Sequence, residues 1–377
     1  MLRTLIVPTT SYAGMGPYVS EIVNNFSVDD DVFFFFHDYE DAFFKKNVRK
    51  ELHQKSMFHQ SPNSAKNKLM ELLRNRFSFH EDILRCCEKW SVKVVHFING
   101  CPGVNLQQDL QKRGVKVLGT VHDLHPHETK KQFYKMIRFK INAARNRDAI
   151  RNCSSLVTNA LDQYEELKKM FPKKKVSFHA FPSLVSKGIK EGNACPPEIE
   201  RLQKPYILFF GRIETYKGVD LLCEAYEHSG NLREQYNLVV AGKGLCPYEQ
   251  SLRENGIIWV NRYIKDEEVA ELYKRAKCVV YPYISATQSG VLSLAYYFQV
   301  PVLASDIPFF KSAINDNCTG RLFKCNDVDD LSLRLSELLQ ADNDEMRMQQ
   351  LRCYKRDFDG ESIRQSLLKI YSEQAAI

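Results

Sequence analysis

The sequence lacks any apolar run of the ~18–20 residues that a membrane-crossing helix requires. Its longest stretches, at 32–36 and 291–304, are shorter, and Ser293 and Gln299 interrupt the second. A helical span is therefore excluded, and attachment to a membrane surface is the most that remains. No C-x-x-C pair occurs among the 11 cysteines, and their number is odd. That argues against a disulfide framework or a zinc site and for small buried thiols in a reduced compartment. The opening MLRTLIVPTT holds one basic and few apolar residues, so it reads as a first strand and not as an export leader. No G-x-G-x-x-G follows that strand. The loop reads A-G-M-G-P, against a dinucleotide dehydrogenase. Internal repeats and low-complexity tracts are absent too.

What is present is an ordinary globular composition, with 44% hydrophobic and 26% charged residues over 377 positions. At roughly 100–200 residues per domain, that length predicts two domains. The net charge of +7 is unevenly spread: residues 1–190 hold 31 Lys/Arg against 19 Asp/Glu, and 191–377 hold 22 against 27. A basic first half suits an anionic partner such as nucleic acid, acidic lipid or a phosphorylated substrate. The plain alternative is a set of solvated basic faces.

Strand-like and helix-like runs alternate almost throughout, the pattern of parallel α/β domains. The first half predicts strands at 4–8, 31–36, 94–98, 115–121, 155–158 and 176–178, with amphipathic stretches at 64–76 and 81–89. The second half predicts strands at 206–210, 237–241, 257–260, 278–281 and 302–304, and helices at 219–227, 266–276 and 328–341. KGIKEGNACPPEIERLQK (187–204) is polar, holds Gly188, Gly192, Pro196 and Pro197, and reads as a linker. It sets a first domain at 1–186 and a second at 205–358. In 360–377, Ile363, Leu367, Ile370 and Tyr371 form one helical stripe, which predicts a final helix packing back on the first domain.

The strongest local signal is FFGRIETYKGVDLLCEAY (209–226). A buried strand ends at a glycine, Arg212 and Lys217 flank a short turn, and a helix begins near Gly218. Ligands of open α/β sheets bind beyond the carboxyl ends of strands. An Arg fork and a compact Lys charge there suit a diphosphate, against the plainer reading of two solvated loop cations. Downstream, the small residues of A-T-Q-S-G-V (286–291) lead into an apolar helix, where backbone N–H groups can approach an anion.

As an ordered series, G-R with K-G-V-D-L-L, L-V-V-A-G-K-G, N-R-Y-I before E-E-V-A-E-L-Y, A-T-Q-S-G-V and Q-V-P-V-L-A-S resembles the family-4 retaining glycosyltransferases, over most of 205–323. SYAGMGPYVSEI (11–22) and TVHDLHPH (120–127) resemble that family's first glycine loop and its cleft segment. The resemblance implies the GT-B fold, two Rossmann-like α/β domains facing across a cleft, with donor in the second and acceptor in the first. It implies that Arg212 and Lys217 hold the donor diphosphate and that Ser289, Gly290 and Val291 form the turn meeting the phosphates. Tyr263 and Ile264 then cradle the base, His122 meets the transferred sugar, and Gly14, Gly16 and Gly242 lie along the donor path. No metal or cofactor is implied, since Arg, Lys and helix dipole neutralise the leaving group.

One departure marks a variant branch. The family carries two glutamates eight positions apart, which fall here on Ala286 and Leu294. Thr287 and Gln288 are expected to supply polar contacts instead. Each residue also has a plainer reading: His122 as a structural strand-end histidine, Gly14 and Gly16 as a turn, and Asp123, His125 and His127 as loop residues rather than a metal cluster.

Lys130–Arg151 interleaves eight Lys/Arg with Phe133, Tyr134, Ile137, Phe139 and Ile141, and Lys168–Lys175 (KKMFPKKK) adds a second basic cluster. Such segments suit an anionic membrane surface, with a plain surface helix as the alternative; no nucleic-acid reader motif occurs. The expectation is a transferase moving a sugar from a nucleotide sugar to a saccharide or lipid-linked acceptor, in cell-surface polysaccharide or glycolipid synthesis. It would be cytoplasmic and peripheral at the inner face of the membrane. The alternatives are a non-catalytic scaffold that binds a nucleotide sugar or membrane, and a nucleotide-sugar epimerase.

Overall fold

The computed structural model describes residues 2–8, 15–38, 42–60, 69–122, 124, 144–245, 256–286 and 289–376, without the side chains of 69–77, 162 and 376. Among the expected site residues, Gly14, Thr287 and Gln288 lie outside them. So do 130–143 of the basic segment, and Asp123, His125 and His127. The chain divides into two units, Met1–Pro182 with Gly360–Ile377, and Ser183–Asp359.

The first unit is built on a parallel seven-stranded sheet of order β3-β2-β1-β4-β5-β6-β7. Its strands are β1 (Thr4–Val7), β2 (Val32–Asp38), β3 (Ser56–Gln60), β4 (Val94–Phe97), β5 (Lys116–Val121), β6 (Ser155–Thr158) and β7 (Lys175–Phe178). A parallel sheet is covered on both faces, so successive residues of one strand enter different cores. Ile6, Phe34, Phe36 and Val94 pack with Tyr18, Val19 and Ile22 of the helix Met15–Asn24 and with Ile363, Leu367, Ile370 and Tyr371 of the helix Gly360–Glu373. Leu5, Val7, Phe35, Val95 and Phe97 pack on the other face with Ile83, Cys86 and Cys87 of the helix Leu69–Lys89. The FFFF run is thus split between two cores, with Phe33 stacked on Trp90. Each fully buried side chain of this size contributes about 1.5–3 kcal/mol.

The second unit holds a parallel six-stranded sheet of order β10-β9-β8-β11-β12-β13. Its strands are β8 (Tyr206–Phe210), β9 (Asn237–Ala241), β10 (Ile258–Val260), β11 (Ala276–Tyr281), β12 (Val302–Ser305) and β13 (Arg321–Phe323). The strands β3 and β13 are absent from the pattern of the sequence. The first is an edge strand only partly buried, and the second has three residues. The stretch 187–204 belongs to this unit and is not a free tether. Ile189 and Ile199 are buried in its core, and Ser186 caps the helix Lys187–Glu191 while donating to Asp266 at 2.5 Å. Glu198 takes two bonds from Arg262, which also grips Glu268 twice at 2.7 Å. The polar composition that reads as a linker is used in capping and ion pairing.

Candidate functional site

In the second unit the chain leaves β8 to one side towards β9 and β10, then crosses back to β11 on the other. The carboxyl ends of β8 and β11 therefore flank a topological switch point, the usual ligand position of such sheets. The loops that leave these ends carry the expected residues.

Backbone packing brings these loops together. A side chain on Gly242 (φ +144°) would place its Cβ 1.9 Å from the Gly211 carbonyl oxygen, so the ends of β8 and β9 meet with nothing between them. Ile213 then donates to Lys243 O at 3.1 Å, and Gly244 N donates to Asn261 Oδ1 at 3.1 Å. Gly218 (φ +61°) lies where a Cβ would come 2.0 Å from Pro282 O, which seats the Thr215–Lys217 turn on the end of β11. Only glycine adopts those angles freely and leaves that room.

Within this frame the two cations differ sharply. Lys217 is 8% exposed. Its Nζ donates to Tyr283 Oη at 3.1 Å and lies 4.9 Å from that ring and 5.9 Å from the ring of Tyr216. Among the described residues it forms no ion pair. Burial holds its titration below the usual lysine range, and Arg212 adds repulsion that Tyr216 and Glu214 oppose. Arg212 is exposed and paired with Glu214 at 2.9 Å. A desolvated ammonium beside an exposed guanidinium suits an anion that brings its own charge.

Tyr283 also bonds the side chain of Ser289, so one phenol links Lys217 to the turn after β11. Gly290 precedes the helix Val291–Tyr297 and packs on Leu184, and Ser293 Oγ donates to Gly290 O at 2.6 Å. Val291 is a core residue whose carbonyl accepts from Tyr281. Leu294, 1% exposed, is packed in the core, and Ala286 lies against it. Tyr263 is 72% exposed while Ile264 is buried. Leu245 and Ile284 are also exposed, so large apolar side chains follow β9, β10 and β11.

In the first unit, His122 directly follows β5. Its ring lies edge-on to Tyr18 with centroids 5.0 Å apart, and its Nε2 is 3.2 Å from Ile98 O. Tyr18 donates to Asn159 Oδ1 at 3.1 Å, and the Asn159 amide nitrogen lies 3.0 Å from His179 Nε2. His96 is bracketed by Tyr371 Oη and Thr120 Oγ1, each at 2.8 Å. Burial is the main reason that His179 is held down to about 4 and His96 well below the usual histidine range. Gly16 lies inside its helix, where a Cβ would meet the Phe43 ring at 2.7 Å, so its small size is used in packing. Among the described residues no cluster of three or more His, Cys, Asp or Glu is placed to hold a metal ion.

The structure therefore gathers Arg212, Lys217, Gly242, Ser289 and Gly290 at one sheet end of the second unit, and sets His122 at a sheet end of the first. Tyr216, Tyr283 and Leu245 are additional. An apolar or aromatic residue in the loop that leaves a strand end is the signal that marks them. Gln163, bonded to the His122 carbonyl, has no local signal.

Residues 196–352 match the family described as Glycosyl transferases group 1. The chain is 28% identical over 160 residues to O-antigen chain mannosyltransferase B of Escherichia coli, covering 40% of this chain and 41% of that one. It spans about two-fifths of the length of the curated relatives it matches. Over 99% of both chains it superposes on sucrose-phosphate synthase of Thermosynechococcus elongatus, with a TM-score of 0.69 and 15% identity. Anabaena HepE, solved in complex with UDP, gives a TM-score of 0.67 at 12% identity, covering 99% of this chain and 100% of that one. The chain thus has the GT-B fold, and most of its second unit matches the group 1 glycosyl transferases.

Proposed function

We propose that this protein transfers a sugar from a nucleotide diphosphate donor to a saccharide or lipid-linked acceptor, with retention at the anomeric carbon and without a metal. The observation that carries the reading is Lys217: a buried ammonium with no ion pair among the described residues, beside Arg212 at the β8–β11 switch point. In the transfer, the bond from the anomeric carbon to the phosphate oxygen breaks and its electron pair leaves with the diphosphate. The acceptor hydroxyl oxygen bonds to that carbon, and its proton passes to the departing phosphate. Negative charge grows on the phosphate oxygens, where fixed cations lower the barrier most. Ser289 and Gly290, with Thr287 and Gln288, cap the diphosphate. Tyr263 and Leu245 offer exposed apolar surface for the base, and His122 faces the reacting sugar.

A peripheral site of action at the cytoplasmic face of an anionic membrane is part of the proposal, in polysaccharide or glycolipid synthesis. Arg145, Arg147, Arg151, Lys168, Lys169 and Lys173 are exposed, which supports it. No described helix is long and apolar enough to cross a membrane. A second reading, a nucleotide-sugar-binding scaffold without turnover, is favoured by Leu294, because the apolar core fills one of the two positions where the family carries an acid. Turnover separates the two. UDP- and GDP-sugars are incubated with the protein and a panel of saccharide and lipid-linked acceptors, and nucleotide release is followed. Release that the Arg212→Ala/Lys217→Ala double variant lacks is expected; binding without release supports the scaffold.

A further inference from the structure

We propose that Gln163 is a positioning residue for His122, acting through its main chain; the inference rests on the transferase reading above. Gln163 lies in the first turn of the helix Leu161–Met170, which follows β6, the strand paired with β5. It is 4% exposed. Its Nε2 donates to the carbonyl oxygen of His122 at 2.9 Å, and its Oε1 accepts from the N–H of Leu124 at 2.9 Å. The two bonds define which end of the amide is oxygen, since the reverse assignment would set two acceptors and two donors face to face. One side chain therefore clamps the main chain on both sides of residue 123.

The imidazole has its own supports. The Nε2–H donates to Ile98 O, which fixes the ring tautomer, and Tyr18 holds the ring edge-on. Ring and backbone are held by different elements, and Gln163 supplies the backbone part. The function of this pair of bonds is geometric. An apolar residue of the same length would fill the same buried volume, yet it would release the main chain at His122 and at Leu124. A misplacement of about 1 Å at a reacting centre can lower turnover about 100-fold without loss of fold.

The test compares Gln163→Met, which removes both bonds, with Gln163→Glu. The carboxylate of the second keeps the acceptor for Leu124 N–H but opposes the His122 carbonyl; once protonated it can donate to it. Release of UDP from UDP-glucose and of GDP from GDP-mannose is followed, with acceptor, from pH 4.5 to 8. The expected result is a kcat lowered about 10- to 100-fold in both variants at pH 7.5, with donor KM changed less than about twofold. The kcat of Gln163→Glu relative to the parent then rises as pH falls, while that of Gln163→Met stays flat. In parallel, nitrogen-15 spectra of histidine-labelled full chain, with His122 assigned from His122→Asn, are expected to show the His122 signal displaced in both variants.

A parent without turnover is a failure of the transferase reading, seen before any variant is made, and the spectra still decide the positioning claim. Variant kcat within twofold of the parent, an unmoved His122 signal, or KM rising as much as kcat falls overturns it. Unfolding of both variants makes Gln163 a structural residue and overturns it as well.

Discussion

Lys217→Met separates what this residue does for the fold from what it does for the reaction. The ammonium is desolvated at 8% exposure, and its titration is displaced downwards by burial. A cation so displaced is worse off folded than unfolded. At neutral pH it is a net cost, which is relieved only as pH rises through the folded-state value. Replacing even a paired buried ion by apolar groups of similar volume is neutral or gains about 1–4 kcal/mol, and Lys217 has no ion pair among the described residues to offset its desolvation. Loss of the approach to the rings of Tyr216 and Tyr283 and of the bond to Tyr283 Oη returns about 1–2 kcal/mol. The net is a gain of about 1 kcal/mol, or a melting temperature about 2–4 °C higher for a unit of this size. Turnover should fall about 100- to 1000-fold, the usual loss on removing one donor aimed at developing charge. Thermal melts without ligand and nucleotide-release assays on one preparation measure both. A clear fall in melting temperature with turnover kept would refute the reasoning, because Lys217 would then be a structural cation.

Acid should weaken the first unit before its carboxylates protonate. His179 is held to about 4 against an ordinary 6.5, so the unfolded chain takes up the proton first. Stability is full above about pH 6.5 and falls towards pH 4 by ~3 kcal/mol from this residue. Urea melts at pH 7 and 5 should show the fall, and His179→Gln should make it shallower by this residue's share, with buried His96 and His37 carrying the rest. Leu294→Glu restores the family acid, but at a position 1% exposed in the core, so it should destabilise the second unit by ~3–5 kcal/mol and leave donor turnover no better. Denaturant melts check the first part and release assays the second.

Much of the fold could be read from local pattern. The alternation of runs and the stripe Ile363–Leu367–Ile370–Tyr371 follow from period and burial, whereas the division of Phe33–Phe36 between two cores emerges only in the fold. The placement of candidate site residues was legible where a motif sits at a strand end, as with Arg212 and Lys217. It was not legible where the partner is remote. Tyr283 meets Lys217 across 66 positions, and Gln163 meets His122 across 41. The stretch 187–204 misleads for the same reason, since Glu198 finds Arg262, 64 positions on, only in the folded unit. Gly242 carries a signal that sequence reads as ligand approach, whereas the carbonyl of Gly211 lies where its side chain would be.

The central claim is that Arg212 and Lys217 together form a diphosphate seat. The direct measurement is the rise in melting temperature caused by UDP and by GDP, for the parent and for Arg212→Ala/Lys217→Ala. A ligand at 100 times its dissociation constant adds about 2.7 kcal/mol, a shift of several degrees. The account predicts that shift in the parent, with at least one of the two nucleotides, and its loss in the double variant. An equal shift in both proteins would contradict it.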